Sequence, residues 1–336
     1  MSEWPLFLFT ALIIIITGSF ISWLGDAIAK KTDLGGLWVG LVLVALVTSL
    51  PEITTAASAG SLGFPNLSAG DLFGSGIFNL AILAFADTLH RQKRLLQSIA
   101  LGHVVTGGLS LILTALASIF ILVRAGVAIG WVSWGSIIIL IVYAYGVWLA
   151  TRDTHKTAHK ELDRQAERLE KGISKRLLNQ RVSILIVGVF AAALVIFIAA
   201  PLMASAANEI SIITGIQDSF FGTFFIAFIT SLPELVVSIT AIRMGAFDLI
   251  VGNIFGSNAF NMVGIFVLDL FFIKGSVFQS ISSIHVVTGL FVITITAVAI
   301  IGLVFRSEKR YAFLEPDATL ILLLSIAAFY AVWRLS

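Results

Sequence analysis

Cysteine is absent from the 336 residues, and charge is scarce, because only 12% of the side chains belong to Asp, Glu, Lys or Arg. Without cysteine, disulfides, thiolate metal centres and thiol catalysis are excluded. The charged fraction is about half that of a typical soluble domain, and 58% of the residues are hydrophobic. The sequence therefore predicts an all-α polytopic membrane protein that contacts a lipid bilayer and no nucleic acid.

Ten apolar segments are long enough to span a bilayer, which takes roughly 20 residues each. They lie near residues 5–25, 35–60, 67–88, 97–123, 127–150, 183–207, 217–242, 247–273, 283–305 and 317–334. One polar stretch, residues 151–182, separates a first five-helix half at 1–150 from a second at 183–336. Its mixed charges at helical spacing favour a solvated linker helix, and a regulatory or lipid-surface role is the alternative.

Positive charge is distributed unevenly between the two sides that these segments define. With the N-terminus outside, 18 of the 21 Lys and Arg residues fall on the inside and 3 on the outside. The positive-inside rule then predicts an extracytoplasmic N-terminus and a cytoplasmic 151–181 loop, in the cell (plasma) membrane. Because five is an odd number, the second half enters the bilayer in the opposite orientation, which predicts two inverted repeats.

A five-residue motif occurs twice, as Thr-Ser-Leu-Pro-Glu at 48–52 and again at 230–234. The offset of 182 also relates Gly-Ser-x-x-Phe-Asn at 74–79 to 256–261, and His-Val-Val-Thr-Gly at 103–107 to 285–289. A fixed offset over so long a stretch indicates an internal repeat. We predict repeat units at 40–83 and 222–265.

Each copy of the motif places a proline and a glutamate inside a membrane-length apolar run. Pro51 and Pro233 lack a backbone N–H, so each leaves the carbonyl four residues earlier without its helical donor. Acids within the bilayer are rare and mark ion or substrate paths, so Glu52 and Glu234 are candidate ligands. Oxygen donors without imidazole or sulfur suit calcium, sodium or magnesium.

Hydroxyl and amide side chains share helix faces with these motifs, because residues three or four apart lie on one face. They are Thr48, Ser49, Ser75 and Asn79 in the first half, and Thr230, Ser231, Ser257 and Asn261 in the second. A purely structural role for the Ser and Asn side chains, as hydrogen bonds between helices, is the alternative.

Other polar positions are interpreted more simply. Asp71 lies one turn before Ser75, near the predicted outer end of its helix, and we expect it on the cation's access path, with a solvated helix end as the alternative. His103 and His285 are interpreted as interfacial hydrogen-bonding groups, with proton sensing as the alternative. The remaining acids near helix ends are predicted to be solvated: Asp26, Asp87, Glu209, Asp218, Asp248 and Asp269.

These motifs, with Gly-Asn-Ile-Phe-Gly-Ser-Asn-Ala-Phe-Asn at 252–261, resemble the α-repeat of the calcium/cation antiporter superfamily, and most closely its prokaryotic sodium/calcium exchanger branch. The resemblance implies a secondary antiporter in which calcium and sodium are transported ions, with no cofactor and no obligate protein partner. Three positions depart from the commonest prokaryotic pattern. Asn261 stands where some relatives have Asp, and Gly76 and Asp71 stand where Asn is usual.

The resemblance also implies how the ligands are divided. A central calcium site would use Glu52, Glu234 and the carbonyls of Thr48 and Thr230. Flanking sodium sites would use Ser49, Ser75, Ser231, Ser257 and the carbonyls of Ala45 and Ala227, with Asn79 and Asn261 completing the midplane. The first and sixth helices would slide across the others to switch access.

The same residues bear on three other functions. A proton/calcium antiporter is possible on this scaffold, because a glutamate exposed alternately to the two sides can also carry a proton. A cation channel is a second class, and twin inverted halves with a midplane site argue against it. An enzyme is not expected, because no Ser-His or Asp-Asp pair at membrane depth supplies a nucleophile with its base.

Overall fold

The computed structural model describes residues 3–31, 45–89, 102–152, 179–244, 247–305 and 316–336. The first half contains α1 (Glu3–Lys31), α2 (Ala45–Thr48), α3 (Leu50–Leu62), α4 (Pro65–Leu89), α5 (Gly102–Leu122) and α6 (Trp134–Arg152). Between α5 and α6, strands β1 (Ala128–Ile129) and β2 (Val132–Ser133) form an antiparallel hairpin in which Ala128 faces Ser133.

The second half is also helical where it is described. It contains α7 (Val182–Thr214), α8 (Asp218–Phe221), a π-helical turn (Gly222–Ile226), α9 (Ala227–Thr230), α10 (Leu232–Met244), α11 (Phe247–Phe271), α12 (Val277–Ser280), α13 (Ile284–Phe305) and α14 (Pro316–Leu335).

Seven of the described helices are long and apolar enough to cross a bilayer, namely α1, α4, α5, α7, α11, α13 and α14. The run from α8 to α10, bent by 41° at its break, is an eighth. The chain is therefore a multi-pass helical membrane protein. The count of ten stays a prediction, because segment 35–60 begins among residues 32–44, and these lie, like linker residues 153–178, outside the described part of the chain.

The centre of the bundle is formed by α4 and α11. In their apolar spans 83% and 72% of the residues are buried, compared with 33% for α1 and 22% for α7. Helices α1 and α7 pack along each other more extensively than any other pair of described helices. They form an outer pair, whose apolar outward faces suit contact with lipid tails.

Both copies of the repeated motif interrupt a helix at the serine. Ser49 separates α2 from α3, and Ser231 separates α9 from α10. The proline that follows is tolerated in the first turn of the new helix, where a backbone N–H has no intrahelical acceptor. Each glutamate consequently lies in the first turn of a helix, at the positive end of the helix dipole.

The outer pair crosses these breaks where α1 carries Gly18. A Cβ added to Gly18 would lie 2.7 Å from Cγ of Pro233 and 3.4 Å from Cγ of Pro51. The absence of a side chain therefore allows α1 to lie directly over both interrupted helices.

Glycine also lets α4 approach the π-helical turn and α9. A Cβ on Gly74 would lie 2.8 Å from Cβ of Ala227 and would collide with the carbonyl oxygen of Thr223. A Cβ on Gly222 would collide with the carbonyl oxygen of Leu67. This close approach brings polar side chains of α4 against the broken helix of the second half.

Two of the acids predicted to be solvated are buried instead. Asp87 is 3% exposed and Asp269 is 0% exposed, whereas Glu209 is exposed as predicted. Oδ2 of Asp269 accepts hydrogen bonds from the backbone N–H of Ser133 and from Oγ of Ser136, both at 2.6 Å. The carboxylate therefore joins the end of α11 to the hairpin and to α6, which are distant in sequence.

We expect Gly74→Ala to lower the thermal unfolding midpoint of the purified protein in detergent. The added methyl group overpacks a contact between backbones, at a cost of about 1–3 kcal/mol. Gly108→Ala on α5 is the matched control, because no atom lies within 4 Å of its Cβ position, and helix propensity alone favours the change. Equal midpoints for the two variants would contradict the close approach of α4 to α9.

Candidate cation-binding site

The two glutamates of the repeated motif are completely buried. Glu52 and Glu234 are each 0% exposed. Neither oxygen of Glu52 has a hydrogen-bond donor among the described residues, and the same holds for Oε2 of Glu234. Oε1 of Glu234 accepts a hydrogen bond from Oγ of Ser49 at 3.3 Å. Buried carboxylate oxygens without donors are costly, and a bound cation would satisfy them.

Among the side chains that the structure describes, no buried positive charge compensates these acids. The buried residues of the described part include no lysine and no arginine. The charges of Glu234 and Asp71 both act on Glu52. Like charges that share a low-dielectric site repel one another, so the arrangement favours cations from outside the protein.

Polar side chains of α2 and α11 lie on one side of the glutamates and form the first flank of the site. The hydroxyl of Thr48 donates to Oδ1 of Asn253 at 3.2 Å and lies 3.2 Å from Oγ of Ser257. All three side chains are buried, and Thr48 and Ser257 lie beside Glu234. This flank offers only neutral groups.

The other flank lies between α9 and α4. The hydroxyl of Thr230 donates to Oδ1 of Asp71 at 2.8 Å and lies 3.2 Å from Oγ of Ser75. Ser75 in turn donates to Oδ1 of Asp71 at 3.4 Å and lies beside Glu52. The two flanks thus use residues related by the same offset of 182.

The alternative interpretation of Asp71 as a solvated helix end is wrong. Its side chain is 0% exposed, and Oδ2 has no hydrogen-bond partner among the described residues. The partner that buries it, Thr230, comes from the opposite half of the chain. A signal was present in the sequence, because Asp71 aligns with Asn253 under the repeat and shares a helix face with Ser75.

The two predicted asparagine ligands differ in their contacts. Nδ2 of Asn79 donates to Oδ1 of Asn258 at 2.9 Å, and Nδ2 of Asn258 donates to the carbonyl of Gly76 at 3.2 Å. Asn261 is buried, and its amide atoms have no partner in the described ranges; Oγ of Ser231 likewise has none there. Asn258, which the sequence analysis missed, is the repeat counterpart of Gly76.

The alanine carbonyls expected to bind sodium are engaged in helical hydrogen bonds. The carbonyl of Ala45 accepts from the backbone N–H of Ser49 at 3.0 Å and from the hydroxyl of Thr48 at 3.2 Å. The carbonyl of Ala227 accepts from the N–H of Ser231 at 3.0 Å and from the hydroxyl of Thr230 at 3.3 Å. A cation at either carbonyl would compete only with the threonine hydroxyl, whose single hydrogen has a second acceptor in Asn253 or Asp71.

Carboxylates alone do not form a compact metal centre in the described ranges, where no three His, Cys, Asp or Glu side chains converge closely enough to hold an ion. A cation bound here would depend on hydroxyl, amide and backbone oxygens as well as on the acids. Such mixed, hard oxygen donors suit alkali and alkaline-earth cations.

The paired histidines are also buried. His285 is completely buried, and its ring stacks on that of Phe73 with centroids 6.4 Å apart and planes 13° apart. His103 is buried as well. Both side chains therefore pack against neighbouring helices, and their position at the membrane interface stays a prediction.

A multi-pass helical bundle with paired buried acids at two helix breaks is typical of membrane transporters. The sequence profile of the sodium/calcium exchanger protein family matches residues 2–152 and 184–335. The chain belongs to this family.

Similarity to individual proteins agrees with the family. The putative antiporter CaxA of Alkalimonas amylolytica is 28% identical over 247 residues, which cover 71% of each chain. The structure of the sodium-calcium exchanger NCX_Mj, soaked with sodium and strontium, aligns at 20% identity with a TM-score of 0.63, covering 98% of this chain and 97% of that chain. The H+/Ca2+ exchanger CAX aligns at 14% identity with a TM-score of 0.70, covering 99% and 85%. These two structures share the fold of this chain.

Proposed function

We propose that the protein is a secondary antiporter that exchanges calcium for sodium across the membrane by alternating access. The observation that carries this proposal is the pair of buried glutamates, Glu52 and Glu234, in a member of the sodium/calcium exchanger family. Three of their four carboxylate oxygens lack a hydrogen-bond donor in the described part of the chain. Two carboxylates match the charge of one divalent ion. Buried acids without basic partners are typical of ion paths through membranes.

The proposed division of ligands is the one that the family resemblance implies, and the hydroxyl groups beside these acids support it. Calcium binds between Glu52 and Glu234, with the carbonyls of Thr48 and Thr230. Sodium binds in the two flanks, and the residues proposed for it are Ser49, Ser75, Ser231, Ser257 and the carbonyls of Ala45 and Ala227. Asn79 and Asn261 complete the midplane of the site.

For the architecture we propose ten spans in two inverted five-helix halves, 1–150 and 183–336, joined by the linker 151–182. The paired contacts support this layout, because Thr48 meets Asn253 as Thr230 meets Asp71. An odd number of spans in each half reverses the second repeat and places the site between the halves.

Alternating access would come from the outer pair. Helices α1 and α7 lie at the periphery and pack mainly along each other. Gly18 of α1 has no side chain over the two prolines, so the pair can slide across the broken helices without a steric clash at this position. Such sliding would uncover the glutamates on one side of the membrane at a time.

The proposed orientation places the N-terminus outside the cell and loop 151–181 in the cytoplasm, in the plasma membrane. The 18-to-3 distribution of positive residues supports it. Because the chain contains no native cysteine, a single cysteine at Thr157 tests it cleanly. Labelling of that cysteine by an impermeant reagent outside intact cells would contradict the orientation.

We expect Glu52→Gln and Glu234→Gln each to weaken calcium binding by about 100-fold or more. Removing one charge from a buried, compensated set costs about 3–5 kcal/mol. Binding is measured by radiocalcium retention on the purified protein. The same substitution at the exposed Glu209 is the matched control and should leave binding unchanged. Near-native binding by both glutamine variants would place the calcium site elsewhere.

Radiocalcium uptake into proteoliposomes tests the coupling ion, with sodium and pH gradients imposed separately. We expect an outward sodium gradient to drive saturable uptake, and a pH gradient alone to drive none. Several sodium ions leaving for one calcium carry net charge outward, so uptake should be faster when the interior is held positive.

Two other results of the same experiment would redirect the proposal. Uptake that follows the pH gradient and ignores sodium would indicate a proton/calcium antiporter, the activity named for the CAX structure that shares this fold. Calcium flux that needs no counter-gradient and does not saturate would indicate a channel. Either result would contradict sodium/calcium exchange.

A further inference from the structure

We infer that Asp71 makes one of the two flanking subsites anionic, so that this subsite binds a sodium ion more tightly than the neutral subsite at Asn253. Asp71 is then a specificity-determining residue for the counter-ion. This inference rests on the proposed function, because it names what one flank of the proposed site recognises.

The two flanks have the same contacts but not the same charge. Thr230 donates to Oδ1 of Asp71 at 2.8 Å, and Thr48 donates to Oδ1 of Asn253 at 3.2 Å. The second polar atom of each acceptor is buried and lacks a partner in the described part of the chain. That atom is a carboxyl oxygen in Asp71, which carries negative charge when the group is ionised, and an amide nitrogen in Asn253. The first attracts a cation, and the second, being a donor, does not.

The geometry at Asp71 offers several oxygens to one small cation. Oδ2 of Asp71 is available, and the hydroxyls of Thr230 and Ser75 lie 3.2 Å from each other and within hydrogen-bonding distance of Oδ1. A hydroxyl that turns its hydrogen away from the site presents a lone pair to the ion. These are hard oxygen donors of the kind that bind sodium.

Charge counting favours a monovalent ion at this position. Glu52 and Glu234 together balance one calcium ion, and Asp71 adds a third negative charge that no buried lysine or arginine of the described part offsets. An uncompensated buried charge is strongly unfavourable. One sodium ion at Asp71 neutralises the excess negative charge of the site, whereas a second divalent ion would leave an excess positive charge.

Packing alone does not require a carboxylate at residue 71. Asn253 provides the same acceptor to Thr48 through a neutral amide, and burying an amide costs less than burying a charge. The charge of Asp71 therefore serves something other than the hydrogen bond to Thr230. The same comparison predicts that Asp71→Asn preserves the fold, since the opposite flank already contains this arrangement.

The experiment is a titration of the purified, calcium-free protein with sodium chloride, following thermal stabilisation, with choline chloride as the ionic-strength control. We expect Asp71→Asn to raise the half-effective sodium concentration about tenfold, equivalent to about 1.4 kcal/mol. Asn253→Asp alone should lower it, because the second flank gains a charge. The double variant, which moves the charge to the opposite flank, should return it close to the wild-type value.

An unchanged sodium dependence in Asp71→Asn, or a double variant as weak as Asp71→Asn, would overturn the inference. If Asp71→Asn does not fold, Asn253→Asp decides, and the absence of any gain in sodium affinity there would overturn it. The titration needs neither calcium nor transport. A failure of sodium/calcium exchange in proteoliposomes is therefore distinguishable from a failure at Asp71.

Discussion

Two carboxylates buried in a membrane bundle, with no basic side chain beside them in the described part of the chain, are the constraint on which the structure depends. Such charges are tolerable only where helix ends, hydroxyls and bound cations offset them. The helix breaks at Ser49 and Ser231 meet part of this need, because each places its glutamate in the first turn of a new helix. The interruptions that weaken two helices thus allow the two acids to be buried inside an apolar bundle.

Close packing of the central helices follows from the same constraint. Gly74 and Gly222 allow α4 to meet the broken helix of the second half at backbone distance, which brings Ser75 and Asp71 to Thr230. In the opposite flank, Ser257 and Asn253 meet Thr48 in the same way. The result is a site built from two nearly equivalent flanks whose difference is one charge. An exchanger that transports a monovalent and a divalent cation can use this difference in charge between the flanks to bind the two ions at different positions.

Much of the candidate site could be predicted from the sequence, because the repeated motif combines residues that are costly in a membrane. The breaks beside Pro51 and Pro233 and the burial of Glu52 and Glu234 follow from that motif alone. The burial of Asp71 and Asp269 could not be derived in the same way. The sequence around an acid near a predicted helix end is the same whether its side chain is exposed to water or buried against a distant helix. Both acids accept hydrogen bonds from residues more than a hundred positions away in the sequence. Likewise, apolar composition over 127–150 did not distinguish the hairpin at 128–133 from the helix that begins at Trp134.

The central claim, that Glu52 and Glu234 hold one divalent cation between them, is tested most directly by anomalous diffraction from crystals soaked in strontium, which stands in for calcium. We expect one strong peak between the two carboxylates, close to the 2.3–2.6 Å oxygen distances typical of calcium. The Glu52→Gln crystal, soaked identically, should lose that peak. A strontium peak remote from both glutamates, with none between them, would contradict the claim.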